Sequence, residues 1–190
     1  MKGKAKLLQR IVIIVKVWEN VGKLNMSSFF FSGSVSAKLD SKNRFVLPQQ
    51  MRYGLVENGD LKFSIALGVG GCLAIYRQSE MQKMVKKFQA KQHLAKFQKF
   101  FTVFFSSLHE LTCDKIGRVV LPATLKKAVK IQNEIIVAGV INKIEIWPKE
   151  AYENQLAKLF GEAGEGSELS KITEEAFALL EEDNESEVAS

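Results

Sequence analysis

Two Asp-x-x-x-Arg segments contain the residues whose types and spacing best suit binding chemistry. Asp40 and Arg44 delimit the first segment, and Asp114 and Arg118 delimit the second. An aspartate at the start of a turn accepts hydrogen bonds from backbone N–H groups and so orders the loop. The planar guanidinium at the other end can donate two parallel hydrogen bonds to a phosphate or to a guanine edge. The alternative is a local ion pair that only holds the turn.

The residue before each arginine indicates how the loop turns. Asn43 and Gly117 take the same place in the two segments. Glycine adopts a positive φ freely, and asparagine adopts one at a lower cost than most residues. We therefore predict a left-handed turn residue just before each arginine. The residues expected to order the loops are Asp40, Asn43, Asp114 and Gly117.

Lysines near the arginines distinguish the two segments. Lys38 and Lys42 accompany the first segment, whereas Thr112 and Ile116 hold the equivalent places in the second. Lysine charge attracts phosphate, so we expect the first segment to make the stronger contacts with a nucleic acid. The candidate DNA-binding residues are Arg44, Lys42, Lys38, Arg118 and Lys115.

Both segments belong to a longer internal repeat, which indicates two copies of one small unit. Residues 39–48 match residues 113–122 at an offset of 74, and residues 73–76 match residues 144–147 at an offset of 71. The pattern of each copy predicts, in this order, an extended segment, the turn, a short apolar strand, a helix that begins at a proline and a β-hairpin. The helices are predicted at about 48–57 and 122–130, and the hairpin strands at 61–67, 72–76, 134–140 and 143–147.

A phenylalanine-rich helical connector separates the two copies. Apolar residues recur with helical spacing over about 79–104, with a break expected near 90–92 and a capping box predicted from Ser79 and Gln82. The phenylalanines are expected to be core. The connector's lysines form either a solvated face or a phosphate-binding one. The predicted units are a basic extension (1–28), the first copy (32–80), the connector (81–105), the second copy (106–151) and an acidic tail (161–190).

Charge is distributed unevenly along the chain. The net charge of +6 combines a basic body with a tail, residues 161–190, that contains ten acidic residues and one lysine. A basic body attracts polyanions such as nucleic acid or an anionic membrane surface. The early apolar run at residues 11–15 is too short for a membrane-spanning helix, which needs about 20 residues, so we expect no membrane segment. In the tail, Thr173 is expected to start a short helix, with disorder from Glu181 onward.

Groups typical of enzymes and metal sites are few. Cys72 and Cys113 form no CxxC pattern, and His93 and His109 have no partner at metal-ligand spacing. The glycines at 68–71 lack the lysine of a phosphate-binding loop and indicate a hairpin turn. We therefore predict that the protein is not an enzyme and has no catalytic residues, no metal site and no cofactor.

Taken together, these segments resemble the MraZ family of transcriptional regulators. Residues 40–48, Asp-Ser-Lys-Asn-Arg-Phe-Val-Leu-Pro, are similar to the first signature of that family. Residues 114–122, Asp-Lys-Ile-Gly-Arg-Val-Val-Leu-Pro, are similar to the second. The stretches at 97–101 and 144–147 also fit, and the resemblance covers about residues 29–160.

The resemblance implies an α+β fold of tandem AbrB-like swapped-hairpin β-barrel halves that form a pseudo-dimer. It also implies a cytoplasmic, nucleoid-associated regulator, assembled as a ring-shaped homo-oligomer. Such a regulator binds double-stranded DNA at short direct repeats ahead of the division and cell-wall gene cluster. Carried over by motif, Arg44 and Arg118 face the DNA. Chains of the family usually begin near the position of Met26, so residues 1–25 are expected to be dispensable.

Two departures from the family pattern and two rival functions stay open at the sequence level. Asn43 stands where the first signature usually has glycine, and Gly54 lies in the first short helix, where a helix former is expected. An AbrB-like antitoxin or protein-interaction module usually carries one copy, so the tandem repeat favours the regulator. A basic membrane-surface protein would bind lipid vesicles rather than duplex DNA.

Overall fold

The computed structural model describes residues 29–160 and 168–188, and the predictions for residues 1–28, 161–167 and 189–190 fall outside these residues. The strands are β1 (Ser34–Lys38), β2 (Arg44–Val46), β3 (Lys62–Leu67), β4 (Leu73–Arg77), β5 (His109–Thr112), β6 (Arg118–Val120), β7 (Glu134–Val140) and β8 (Lys143–Pro148). The helices are α1 (Gln49–Leu55), α2 (Gln78–Gln89), α3 (Gln98–Ser106), α4 (Ala123–Ala128), α5 (Lys149–Phe160) and α6 (Glu168–Val188).

Six strands form one antiparallel sheet, in which the two copies exchange their first strands. The strand order is β1-β7-β8-β4-β3-β5. β1 of the first copy pairs with β7 of the second, and β5 of the second copy pairs with β3 of the first. At the centre β4 pairs with β8, where Ile75 lies opposite Ile144. Neither copy therefore forms a complete sheet of its own.

The exchange of strands leaves an open sheet with edges at β1 and β5. The mixture of helices with antiparallel sheets agrees with the predicted α+β class. The predicted barrel halves, however, are not closed in the strand order. The physical reason is that each first strand extends the hairpin of the other copy instead of returning to close its own.

A two-stranded ribbon covers the inner face of the large sheet. β2 and β6 pair antiparallel with Phe45 opposite Val119, and both side chains are buried. They pack in the main core, whose apolar burial is the chief force that holds the two sheets together. The largest fully buried side chains of this core are Phe31, Phe45, Phe63, Leu47, Leu55, Ile65, Leu73, Ile75, Leu121, Leu125, Ile135 and Ile144.

Helices cover parts of the outer face of the sheet. α2 contacts β3 and β4, and α5 contacts β7 and β8. The predicted break in the connector is confirmed, because α2 ends at Gln89 and α3 begins at Gln98. The prediction that the connector's phenylalanines are core is wrong in part. Phe104 is buried, but Phe97 and Phe100 expose 39% and 46% of their surface.

The start of α2 differs from the predicted capping box. The residue before the helix is Arg77, and no side chain caps the helix from within. Instead, the carboxylate of Glu57 accepts a hydrogen bond from the backbone N–H of Ser79 at 3.0 Å and another from the Ser79 hydroxyl. Glu57, which is distant in sequence, thus accepts hydrogen bonds at the start of the helix. Ser79 donates these hydrogen bonds and does not cap the helix.

Gly54 lies within α1 because aromatic rings pack directly against its backbone. A Cβ at this position would come within 2.1 Å of the Phe29 ring and 2.6 Å of the Phe31 ring. Close packing therefore overrules the preference for a good helix former. Both short helices, Gln49–Leu55 and Ala123–Ala128, are also shorter than predicted.

The acidic tail is helical where the sequence predicted otherwise. The helix α6 spans Glu168–Val188, so it begins before Thr173 and continues past Glu181. The prediction of disorder from Glu181 is wrong up to Val188. The physical reason is that glutamate is a strong helix former, so an acidic composition alone does not exclude a helix.

Candidate nucleic-acid interface

The first Asp-x-x-x-Arg segment is a tight loop centred on one carboxylate. Oδ1 of Asp40 accepts hydrogen bonds from the backbone N–H groups of Lys42 at 2.8 Å and Arg44 at 2.9 Å. Oδ2 of Asp40 accepts from the Arg44 guanidinium, with Nε and Nη2 each at 2.7 Å. Asn43 has a φ of 55°, the left-handed turn conformation. The aspartate therefore fixes both the loop backbone and the position of the arginine.

The second segment forms the same loop with the same atoms. Oδ1 of Asp114 accepts from the backbone N–H groups of Ile116 at 3.1 Å and Arg118 at 2.9 Å. Nε of Arg118 donates to Oδ2 of Asp114 at 2.7 Å. Gly117 has a φ of 88° in the place of Asn43. The two loops are thus two copies of one geometry, as the internal repeat requires.

The ribbon of β2 and β6 joins the two loops into one surface. Leu47 donates its backbone N–H to the carbonyl of Gly117 at 3.0 Å, and Leu121 donates to the carbonyl of Asn43 at 2.9 Å. Arg44 lies opposite Val120 in the strand register. The outward side chains alternate with the buried ones, so the outer face of the ribbon presents Arg44, Val46, Arg118 and Val120.

Each arginine keeps binding capacity despite its ion pair. The side chains of Arg44 and Arg118 are 25% and 33% exposed. A guanidinium has five N–H donors, and Asp40 takes donors only from the Nε and Nη2 edge of Arg44. The opposite edge, with Nη1, can still donate to a ligand. The ion pair and the binding role are therefore compatible, because the carboxylate orients the fork without exhausting it.

The loop carboxylates stay ionised over the neutral pH range. The guanidinium and the backbone N–H of Arg44 lower the pKa of Asp40 from 3.8 to about 2. Hydrogen bonds from the backbone N–H and the guanidinium of Arg118 likewise lower the pKa of Asp114. A carboxylate that accepts hydrogen bonds in its charged form holds its proton less tightly.

We expect Asp40→Asn to destabilise the first loop in a way that depends on pH. Since the pKa of Asp40 is lowered to about 2, its contribution to stability is complete above about pH 4 and disappears as the pH falls toward 2. The difference in urea midpoint between the wild type and Asp40→Asn should therefore be largest at pH 5–7 and shrink toward pH 2. Asp114→Asn is the matched variant in the second loop. A difference independent of pH would contradict a charged role for Asp40.

The structure separates the predicted lysines into two groups. Lys42 and Lys115 are exposed within the two loops. Lys38 lies on β1, where its Nζ contacts Oε1 of Glu134 at 2.9 Å while its side chain remains 78% exposed. Hydrogen bonds from Lys149 and Lys38 lower the pKa of Glu134 to about 2. The charge of Lys38 is thus partly offset by a neighbouring carboxylate, unlike that of the loop lysines.

Sequence reasoning missed two basic residues that lie against the loops. Arg52 of α1 and Lys126 of α4 occupy equivalent places at the offset of 74. Nζ of Lys126 donates to Oδ1 of Asn43 at 2.8 Å, and the Arg52 guanidinium covers Gly117, where a Cβ would lie 2.5 Å from Cζ. Each short helix therefore supports the loop of the other copy. Repeat alignment could have paired the two residues, but only the ribbon shows what they contact.

The first loop has asparagine and the second has glycine at the same position because different side chains, Lys126 and Arg52, pack against the two loops. We expect Gly117→Asn to cost about 1–3 kcal/mol of stability, because it places a side chain at positive φ and against the Arg52 guanidinium. Adding Arg52→Lys should recover part of that loss, since a lysine facing an asparagine is the arrangement found in the first loop. Chemical denaturation of the wild type, both single variants and the double variant measures the coupling. Strictly additive losses would contradict this account.

Features of other site classes are lacking in the residues that the structure describes. Within residues 29–160 and 168–188, no group of three or more His, Cys, Asp or Glu side chains could hold a metal ion. No helix in the same residues is long and apolar enough to cross a membrane. Burial raises the pKa of Cys72 to about 12 and that of Cys113 to about 11, so neither thiol is activated.

The fold and the loops define a class of tandem-repeat protein in which paired Asp-x-x-x-Arg loops share one basic surface. The surface is formed by the loop residues together with the two supporting helices. Its basic members are Lys42, Arg44, Arg52, Lys115, Arg118 and Lys126, against the carboxylates of Asp40 and Asp114.

Comparison with known proteins identifies the family. The family model described as "MraZ protein, putative antitoxin-like" matches the chain twice, over residues 30–103 and 104–175. A protein named "Transcriptional regulator MraZ" from Desulforamulus reducens is 34% identical over 129 residues, which cover 67% of this chain and 88% of the relative. A protein of the same name from Clostridium acetobutylicum is 37% identical over 125 residues, covering 64% and 84% respectively. The chain belongs to the MraZ family, and the resemblance seen in the sequence is confirmed.

Proposed function

We propose that this protein is a sequence-specific DNA-binding transcriptional regulator that binds duplex DNA through the β2–β6 ribbon and its two loops. The relatives named as transcriptional regulators support the role. The assignment of the DNA-binding surface rests on one observation. Both loops meet on one ribbon, and in each loop an aspartate orients the arginine. Neither enzyme chemistry nor a cofactor is needed for this function.

The dimensions of the ribbon support insertion into a groove. A major groove of B-DNA admits a two-stranded β-ribbon, and an arginine can bind guanine O6 and N7 with two hydrogen bonds. Arg44 and Arg118 are diagonal neighbours in the register, a spacing of roughly 7–8 Å. Val46 and Val120 lie on the same face, where their methyl groups suit contact with thymine methyls. The ribbon thus combines polar and apolar groups able to distinguish base pairs.

The lysines are assigned to the DNA backbone. Lys42 and Lys115 are exposed beside the arginines and can approach phosphates without disturbing the loop. Lys38 contributes less than an unpaired lysine, since Glu134 contacts it. The first loop should still make the stronger contacts, because Ile116 and Thr112 replace the two lysines in the second. Phosphate contacts raise affinity for all sequences, whereas the arginines choose among them.

The finer fold and the assembly are part of the same proposal. The exchanged first strands support an AbrB-like swapped-hairpin arrangement of two half-units at 32–80 and 106–151, joined by the connector at 81–105. Several copies in a ring-shaped homo-oligomer would present their loops in register to short direct repeats. The target is the promoter of the division and cell-wall gene cluster. The protein would then act in the cytoplasm at the nucleoid.

The test of this function is selection of DNA from the whole genome. The purified protein is incubated with sheared genomic fragments, and the bound fragments are sequenced. Enrichment of one promoter region with short direct repeats is expected, followed by tighter binding of that duplex than of a scrambled one at two salt concentrations. Equal binding of both duplexes would leave only non-specific charge attraction and reject the proposal. Flotation with anionic vesicles, in the absence of specific duplex binding, would favour the membrane-surface alternative.

A further inference from the structure

The helical connector carries an exposed apolar groove, here called the Phe groove. Its lining is Phe88, Lys91, Phe97, Phe100 and Phe101, and its volume is about 430 Å³. Phe97 and Phe100 remain 39% and 46% exposed, and Val103, which shares α3 with Phe100, is 55% exposed. Within residues 29–160 and 168–188, no other segment lines this groove. Such a contiguous apolar patch is typical of an interaction surface.

The rings of the Phe groove are held in place before any partner binds. The ring of Phe88 contacts the rings of Phe100, Phe101 and Phe104 with centroid distances of 5.6 Å in each case. Phe104 is buried against the sheet in a cluster with Met81. A side-chain network anchored in this way loses little conformational freedom on binding, so the groove is preorganised.

Two lysines lie at the Phe groove. Lys91 forms part of its lining, and Nζ of Lys96 lies 4.8 Å from the centroid of the Phe97 ring. Residues 78–106 contain six lysines and a single acidic residue, Glu80. The groove therefore suits an apolar partner with acidic residues beside its apolar face.

The acidic tail helix of the same chain has that chemistry. In α6 the side chains of Ile172, Phe177 and Leu179 are 48%, 42% and 62% exposed. On a helix with 3.6 residues per turn, Ile172 and Leu179 lie seven residues apart on one face, whereas Phe177 is turned about 140° away from Ile172. The helix carries eight acidic residues and one lysine, Lys171. The groove is apolar with two lysines beside it, and the helix combines exposed apolar side chains with a strongly acidic composition, so the two are complementary in both properties.

We propose that α6 of one copy docks in the Phe groove of a second copy of the chain. Within its own chain α6 contacts α5, which covers the β7–β8 half of the sheet, whereas the Phe groove belongs to the β3–β4 half. Each copy therefore offers one helix and one groove at different places. An interface of this head-to-tail kind propagates and closes into a ring when the rotation permits. The inference rests on the proposed self-association and names the segments that produce it.

Two full-length variants test the interface. The groove variant carries Lys91→Glu, Lys96→Glu and Phe100→Ser, and the tail variant carries Ile172→Ser and Leu179→Ser. By light scattering at micromolar concentration, the wild type should be larger than a dimer. Each variant alone should have the mass of one 21.3 kDa chain. Mixed together, the two variants should form a heterodimer and nothing larger, because one intact groove meets one intact helix.

Controls keep the result interpretable. Val69→Ser removes an apolar side chain that is 84% exposed elsewhere and should leave the assembly unchanged. A groove variant with only the two lysine reversals, which leaves every phenylalanine in place, should weaken association at low salt more than at high salt. A monomeric wild type, variants that assemble as the wild type does, or a mixture that stays monomeric would each overturn the inference. Because all variants keep both arginine loops, loss of DNA binding by Arg44→Ala in a protein of unchanged mass tests the proposed function separately.

Discussion

Replacing Arg44 by alanine is expected to weaken binding to the specific duplex by about 1–3 kcal/mol for each base pair that the side chain contacts. The reason is that Asp40 holds the guanidinium by its Nε and Nη2 edge and leaves the other edge for a guanine. In an oligomer that presents several loops, the loss multiplies. Duplex titrations at two salt concentrations, with specific and scrambled sequences, measure both the affinity and the preference.

Lys42→Ala and Arg118→Ala are the matched controls for Arg44→Ala. Lys42→Ala should weaken all sequences equally and reduce the slope of log affinity against log salt by about one unit. Arg118→Ala should reduce specific binding less than Arg44→Ala, since its loop lacks the neighbouring lysines. A melting curve accompanies each variant. If folded Arg44→Ala binds the specific duplex as tightly as the wild type, Arg44 only pairs with Asp40 and the site assignment fails.

The elements that depend on local sequence were predictable. The repeat located both loops, both short helices and both hairpins, because turn residues and apolar alternation are visible within ten or twenty residues. The predicted hairpin at 134–147 corresponds to β7 (Glu134–Val140) and β8 (Lys143–Pro148). The break in the connector was also predictable, since the helical spacing of apolar residues loses its phase there.

Long-range partners could not be predicted in the same way. An extended segment predicts a strand but does not show which strand it will pair with, so the exchange of β1 and β5 between the copies could not be derived from the residues themselves. The same holds for Arg52 and Lys126, whose contacts with Gly117 and Asn43 exist only because the ribbon brings the copies together. Gly54 is a further case, since its role depends on a ring more than twenty residues away.

The ribbon links the candidate site to the core. Its outward residues form the binding surface, while its inward residues, Phe45 and Val119, are 1% and 0% exposed within the main core. A strand of three residues is too short to be stable alone, so its position depends on this burial. The loops are therefore held at both levels, by Asp40 and Asp114 locally and by the two buried side chains from below.

Phe45→Ala is expected to destabilise the protein by about 3–5 kcal/mol, because it removes a fully buried aromatic side chain and leaves a cavity under the ribbon. Folded domains have stabilities of about 5–15 kcal/mol, so a large part of the total would be lost. Denaturation by urea at neutral pH measures the change. DNA binding should fall at least in proportion to the unfolded fraction, because the position of the ribbon depends on the burial of Phe45.

The next residue along β2 is the control for Phe45→Ala. Val46 is 53% exposed on the outer face of the same strand, so Val46→Ala should change the stability by only about 0.5 kcal/mol. In the second copy, Val119→Ala and Val120→Ala repeat the comparison, since Val119 is buried and Val120 is 53% exposed. The loss at Val119 should be smaller than at Phe45 because fewer buried atoms are removed. Equal losses at Phe45 and Val46 would show that the ribbon does not have one buried and one solvent-facing side, and the outward placement of Arg44 would then be wrong as well.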